Sequence, residues 1–119
     1  MNHDRHIAED HYYAGLDLLA DGNAVQAAER FRAAHEADDT FLDAQHGLIR
    51  ALRDAGHYDE AITAAKNLAE RAPEDVLAHT ALSILYQHAG MIPEAEAAAT
   101  KAKLLGWKME LRAKASGAL

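Results

Sequence analysis

The sequence predicts an all-α fold, an array of stacked helix pairs, and three observations carry that prediction. Gly22, Gly56 and Gly90 each stand five residues before an alanine, Ala27, Ala61 and Ala95, and both intervals between the glycines are 34 residues. Alanine is abundant and β-branched residues are sparse, a composition that favours helix over strand. The two prolines, Pro73 and Pro93, suit the first turn of a helix, where a missing N–H is no loss.

These signals predict helices over 4–20, 24–37, 41–54, 58–71, 74–89, 93–105 and 107–115. The first ends ahead of Gly22, which can take the left-handed conformation that closes a helix. The second carries Ala27, Phe31 and Ala34 at spacings of four and three, one face of a helix. The third opens behind the acidic turn "EADD", with Thr40 placed to cap it and Asp43 three residues on; it ends ahead of Gly56. The fourth repeats the second with Ala61, Ala65 and Leu68. The fifth follows "APED" and ends ahead of Gly90, and the sixth starts at Pro93 and carries Ala95, Ala99 and Ala102. Leu104, Trp107, Leu111 and Ala115 fall at spacings of three and four, so a seventh helix is expected to lie on the last pair as a cap, with Trp107 as a packing residue.

Composition narrows the function. With 119 residues, half of them apolar, the chain can bury one modest core, and a single domain over 1–119 is expected. A net charge of -7 argues against a nucleic-acid partner, which calls for clustered Lys and Arg. The absence of cysteine removes disulfides, thiolate nucleophiles and zinc-thiolate sites. "MNHDRHIAEDHYYAG" lacks an apolar core of signal-peptide length, and no apolar run approaches the roughly 18 residues of a membrane span. A cytoplasmic protein with no membrane insertion is expected.

Charge is uneven along the chain. Lys101, Lys103, Lys108, Arg112 and Lys114 stand against the single acid Glu110, giving +4 from residue 101 onward and leaving -11 on residues 1 to 100. One reading is a helix end whose cations suit its dipole; the other is a head-to-tail contact between copies.

The paired pattern resembles the tetratricopeptide repeat family, whose 34-residue motif runs W-x2-L-G-x2-Y, then A-x3-F, an alanine and a final proline. The first repeat, over 8–41, reads His11, Ala14-Gly15, Leu18, Ala27, Phe31, Ala34 and Asp39 in those slots. The second, over 42–75, reads Gln45, Leu48-Ile49, Leu52, Ala61, Ala65, Leu68 and Pro73, and the third, over 76–109, reads His79, Leu82-Ser83, Tyr86, Ala95, Ala99, Ala102 and Trp107. The tryptophan slot is polar in all three, so the match rests on the small and apolar positions. The resemblance implies an αα-superhelix, a right-handed solenoid of three helix-turn-helix repeats, here with a C-terminal capping helix over 107–115.

It also implies a function: a protein or peptide partner lies against the first helix of each repeat. Carried over by position, the partner-binding groove is Glu9, Tyr12, Leu16 and Leu19; then Asp43, His46, Arg50 and Arg53; then Leu77, Thr80, Ile84, Gln87 and His88. Chaperone-binding members grip a terminal carboxylate at positions that here hold Tyr12, Leu16, Gly47, Leu77 and Ala81, so that clamp is absent. Arg50 and Arg53, one turn apart, either pair with an acid on the partner or are satisfied by Asp43 and Asp54. The expectation is a non-enzymatic scaffold or adaptor, the alternative a homo-oligomer joined through the groove or the capping helix.

Chemistry is thin. No two of the eight histidines stand four apart, and the nearest metal-like cluster is "HDRH" with Asp10 one turn beyond His6. His11 and His79 occupy the tryptophan slot and read as helix contacts. No triad spacing, phosphate loop or paired-carboxylate pocket stands out, so no cofactor, metal or catalytic residue is expected.

Overall fold

The computed structural model describes residues 3–117, which form six helices: α1 (Arg5–Ala20), α2 (Ala24–Ala37), α3 (Leu42–Asp54), α4 (Tyr58–Arg71), α5 (Val76–His88) and α6 (Ile92–Ala115). They pack as consecutive antiparallel neighbours, each against the next. The turns inside the pairs are copies of one another. Gly22, Gly56 and Gly90 have φ of 83°, 80° and 75°, and the residue after each donates its N–H back to Leu18, Leu52 or Tyr86 at 2.8–2.9 Å. This is a Schellman closure, which places glycine where a side chain would strain the backbone. Nothing lies within 4 Å of a Cβ added at any of the three, so conformation and not space selects glycine there.

Space selects it elsewhere. The Phe31 ring is fully buried between α1 and α3. A Cβ on Gly15 would come within 2.8 Å of it, and one on Gly47 within 2.6 Å. Around it the core consists of Ala27, Ala28, Ile49, Ala51, Leu52, Ala61, Ala65, Leu68, Ala78, Leu82 and Leu85. Alanines at the crossings let the helices approach closely, and the larger residues fill the space between.

One local expectation needs correction. Thr40 does not cap α3: the N-cap is Phe41, with no side-chain capping bond. The Thr40 hydroxyl donates instead to Asp38, because Asp38 is drawn into the turn by a second partner, the Arg5 guanidinium at 2.8 Å. Asp4 N–H donates to Ala37 C=O at 2.9 Å, so the start of α1 is fastened to the α2–α3 turn.

The larger correction concerns the C-terminal region. There is no break at residues 105–107 and no separate seventh helix: α6 runs unbroken for 24 residues through Gly106. Glycine inside a helix costs about 1 kcal/mol, and the strong helix formers on either side, Lys103, Leu104, Leu105, Lys108 and Met109, outweigh it. The stripe expected to form a cap therefore points away from the array. Leu104, Leu111 and Trp107 are all exposed, Trp107 at 61 %, so Trp107 is not a packing residue here.

Candidate partner-binding wall

The sequence-derived groove residues all lie on α1, α3 and α5, and the packing brings those helices into one wall. α1 lies against α3 and α3 against α5, whereas among the described residues α2 does not pack on α4, nor α4 on α6. First helices close together and second helices held apart make the row curve, with α1, α3 and α5 on its inner side. On the outer side a cleft of about 370 Å³ separates α2 from α4, floored by Leu48 and Leu52 and bridged by the Arg32–Glu60 ion pair at 2.8 Å.

The wall residues differ in what they have left to offer. Tyr12 is half-buried, with ring centroids 5.1 Å from Phe41, 5.8 Å from Phe31 and 5.5 Å from Tyr13; burial, then the nearby Asp43 charge, pushes its hydroxyl pKa up. Leu19 packs against the core and Ile84 is half-buried, while Leu16 and Leu77 are exposed. Glu9 is half-buried and Asp43 exposed. His46 is committed to the frame: its Nε2 shares a 2.7 Å hydrogen bond with Asp75 Oδ2, and Asp75 caps α5 by accepting from Ala78 N–H. Thr80 donates its hydroxyl to the Val76 carbonyl one turn back. Gln87 is exposed, and His88 stacks on Tyr58, 5.0 Å between centroids and 7° from parallel.

The two arginines share one acid. Arg50 Nε lies 3.9 Å and Arg53 Nε 3.7 Å from Asp54 carboxylate oxygens, while Asp43 pairs with neither. Contacts this long at a surface contribute little, and the Arg50 side chain is 65 % exposed. Arg50 is therefore the wall's available cation, set between Leu16 on α1 and Ile84 on α5.

Outside the wall, the structure brings together groups that the sequence does not place side by side. Asp38 is 2 % exposed; Thr40 hydrogen bonding and the Arg5 guanidinium hold its carboxyl far below the usual carboxylate range. His3 and Asp39 lie near enough to join Asp38 around a metal ion. Asp38 is already occupied by Arg5 and Thr40, which disfavours that use. His3 thus turns to Asp38, at 3.6 Å. On α6, Arg112 donates to both carboxylate oxygens of Glu74 at 3.4 Å, and this bonding lowers the Glu74 pKa. An open cleft of about 560 Å³ lies on α6 beside Trp107, lined by Ala102, Lys103, Gly106 and Glu110. Among the described residues no helix is long and apolar enough to cross a membrane.

Comparison with known proteins agrees with this architecture. No curated protein matches the sequence. The structure is similar to one described as "MamA MSR-1 C2", with a TM-score of 0.79 and 24 % identity over 86 % of this chain and 59 % of the other. It is also similar to one described as "Crystal structure of MamA", with a TM-score of 0.81 and 22 % identity over 87 % of this chain and 60 % of the other. The chain thus spans less than two thirds of the length of the structures it matches. A family model described as tetratricopeptide repeat matches residues 18–83. That match covers more than half of the chain, the same stretch in which the glycine turns, close-packed alanines and paired helices recur, and the chain belongs to the tetratricopeptide repeat family.

Proposed function

We propose that this protein is a non-enzymatic adaptor that holds a peptide or helical segment of another protein along α1, α3 and α5. The general role of an interaction scaffold follows from the family and its fold. The observation that carries the finer reading is the combination on the wall of exposed Leu16 and Leu77 with Arg50, whose one acid contact among the described residues is 3.9 Å away. Apolar side chains grouped around an underused cation suit a segment that places an acid between apolar residues.

The test is capture of the partner from source lysate, followed by titration of the purified pair. Leu16→Ala and Arg50→Ala should each weaken binding by about 1–3 kcal/mol with helicity unchanged. The Arg50 effect should shrink in high salt and the Leu16 effect persist. Lys66→Ala on α4, exposed and without a side-chain partner among the described residues, is the control. Binding that survives both wall changes and fails on substitution at the α2–α4 cleft places the site on the outer face.

A second reading, self-association, is favoured by the exposed Trp107 stripe and by the basic α6 end on an otherwise acidic chain.

A further inference from the structure

The 34-residue repeat allows each face of α1 to be compared with the same face of α3 and α5. Positions 44 and 78 are fully buried alanines, and positions 51 and 85 are fully buried as Ala51 and Leu85. On α1 the corresponding residues are Asp10 and Asp17, both exposed, and neither carboxylate has a side-chain partner among the described residues. Between them stands Tyr13, 60 % exposed, and one turn before Asp10 stands exposed Ile7. This face is distinct from the wall, which uses Glu9, Tyr12, Leu16 and Leu19. It is an acidic stripe with an aromatic at its centre, on the helix edge where α3 and α5 each receive the preceding helix.

The end of α6 carries the opposite pattern. Leu104, Trp107 and Leu111 form an exposed stripe. At 100° per residue, Lys101 and Lys108 flank it on one side and Lys103 and Lys114 on the other. None of the four lysines forms an ion pair or side-chain hydrogen bond with an acid among the described residues, although the Lys108 charge reaches Glu74 at longer range; Arg112, by contrast, is held by Glu74. Lys101 and Lys108 are seven residues apart, as are Asp10 and Asp17. Each pair therefore spans about 10.5 Å along its helix, and two packed helices can bring both pairs into register together.

We propose that the α6 end of one copy docks on the α1 edge of a second copy, with Trp107 and Tyr13 at the centre and the lysine and aspartate pairs around them. Charge complementarity selects this occupant. An α6–α6 contact would set +4 against +4, and an α1–α1 contact would set the Asp10 and Asp17 pairs against each other. Because the two surfaces are different, the contact is heterologous, and it propagates into an open chain of copies unless the rotation between them closes a ring. Two helix faces make a small interface, so assembly is concentration-dependent. The proposal rests on the self-association reading and uses no wall residue, so it stands or falls separately from partner binding at Arg50.

The experiment is sedimentation velocity on the 119-residue chain in low salt, from micromolar to hundreds of micromolar. The expected result is a weight-average mass that keeps rising with concentration. Asp10→Lys with Asp17→Lys, and separately Lys101→Glu with Lys108→Glu, should each raise the dissociation constant about tenfold or more, as charge reversal at a complementary interface does. Mixed together, the two variants should associate again in alternation, since reversed head meets reversed tail and native tail meets native head. Trp107→Ser should dissociate the assembly with circular dichroism unchanged. Three outcomes would overturn the proposal: a mixture that stays monomeric, a closed dimer that ignores the α1 reversals, and a monomeric wild type whose α6 lysines instead bind phosphatidylserine vesicles.

Discussion

Phe31, Ala65 and Ala99 hold the same place in the three second helices, yet their surroundings differ. Phe31 and Ala65 are fully buried, the first against Gly15 and Gly47, the second in the central cluster with Ile49 and Leu68. Ala99 is exposed. The size of the residue is balanced across each contact: where α2 offers a phenyl ring, α1 and α3 offer glycine, and where α4 offers alanine, α3 offers Ile49. At α6 no helix lies on that face in the described structure, and no such balance is needed. A repeat position thus has no fixed energetic value, and what is packed on it decides.

The largest break in that comparison comes at Phe31. Phe31→Ala should lower unfolding free energy by about 3–5 kcal/mol, read from the urea midpoint, because glycine neighbours have no side chains to move into the void. Ala99→Phe at the same repeat position should stay within about 0.5 kcal/mol. A Phe31 loss that small would mean that the three helices collapse together and the balance is not specific.

Overpacking separates the middle from the end less steeply. Ala61→Leu, at a fully buried crossing, should cost about 1–3 kcal/mol, measured as a lowered thermal midpoint. An unchanged midpoint would put the α3–α4 contact elsewhere.

Acid should loosen the α1 end ahead of the middle. The Asp38 carboxyl has a depressed folded-state pKa, so its stabilisation is fully present above the unfolded value of about 4 and is lost as pH falls below it. Stability should therefore decline below about pH 4, and Asp38→Asn should be less stable at neutral pH with a flatter acid limb. An Asn variant with the wild-type acid profile would remove Asp38 as the source.

The smallest effect belongs to α6. Trp107→Ser should change unfolding free energy by no more than about 0.5 kcal/mol when measured at a dilution where the chain is monomeric. A large loss there would show that Trp107 packs on the array after all.

The helix bounds of α1 to α5 could be read from the sequence because their causes are local: a left-handed glycine every 34 residues and small apolar residues at three- and four-residue spacing. The candidate wall came instead from the family resemblance, as positions on first helices, and that route says nothing of its energetics. Nothing in the spacing of His46 and Asp75, or of Tyr58 and His88, reveals that these residues are engaged with one another across helices, leaving Arg50 and Leu16 as the open groups.

The sequence by itself determined the repeat and the class of fold, since periodicity acts within one turn or one pair, and the resemblance those repeats carry is what implied that the first helices face inward. Only the tertiary structure decided that Gly47 is there for Phe31, that Asp38 anchors Arg5 and holds Thr40 away from the α3 cap, and that α6 continues through Gly106 and presents Trp107 outward. The first two depend on residues from separate helices meeting in space, and the third on helix propensity on both sides of one glycine outweighing the pull of an apolar stripe toward the core.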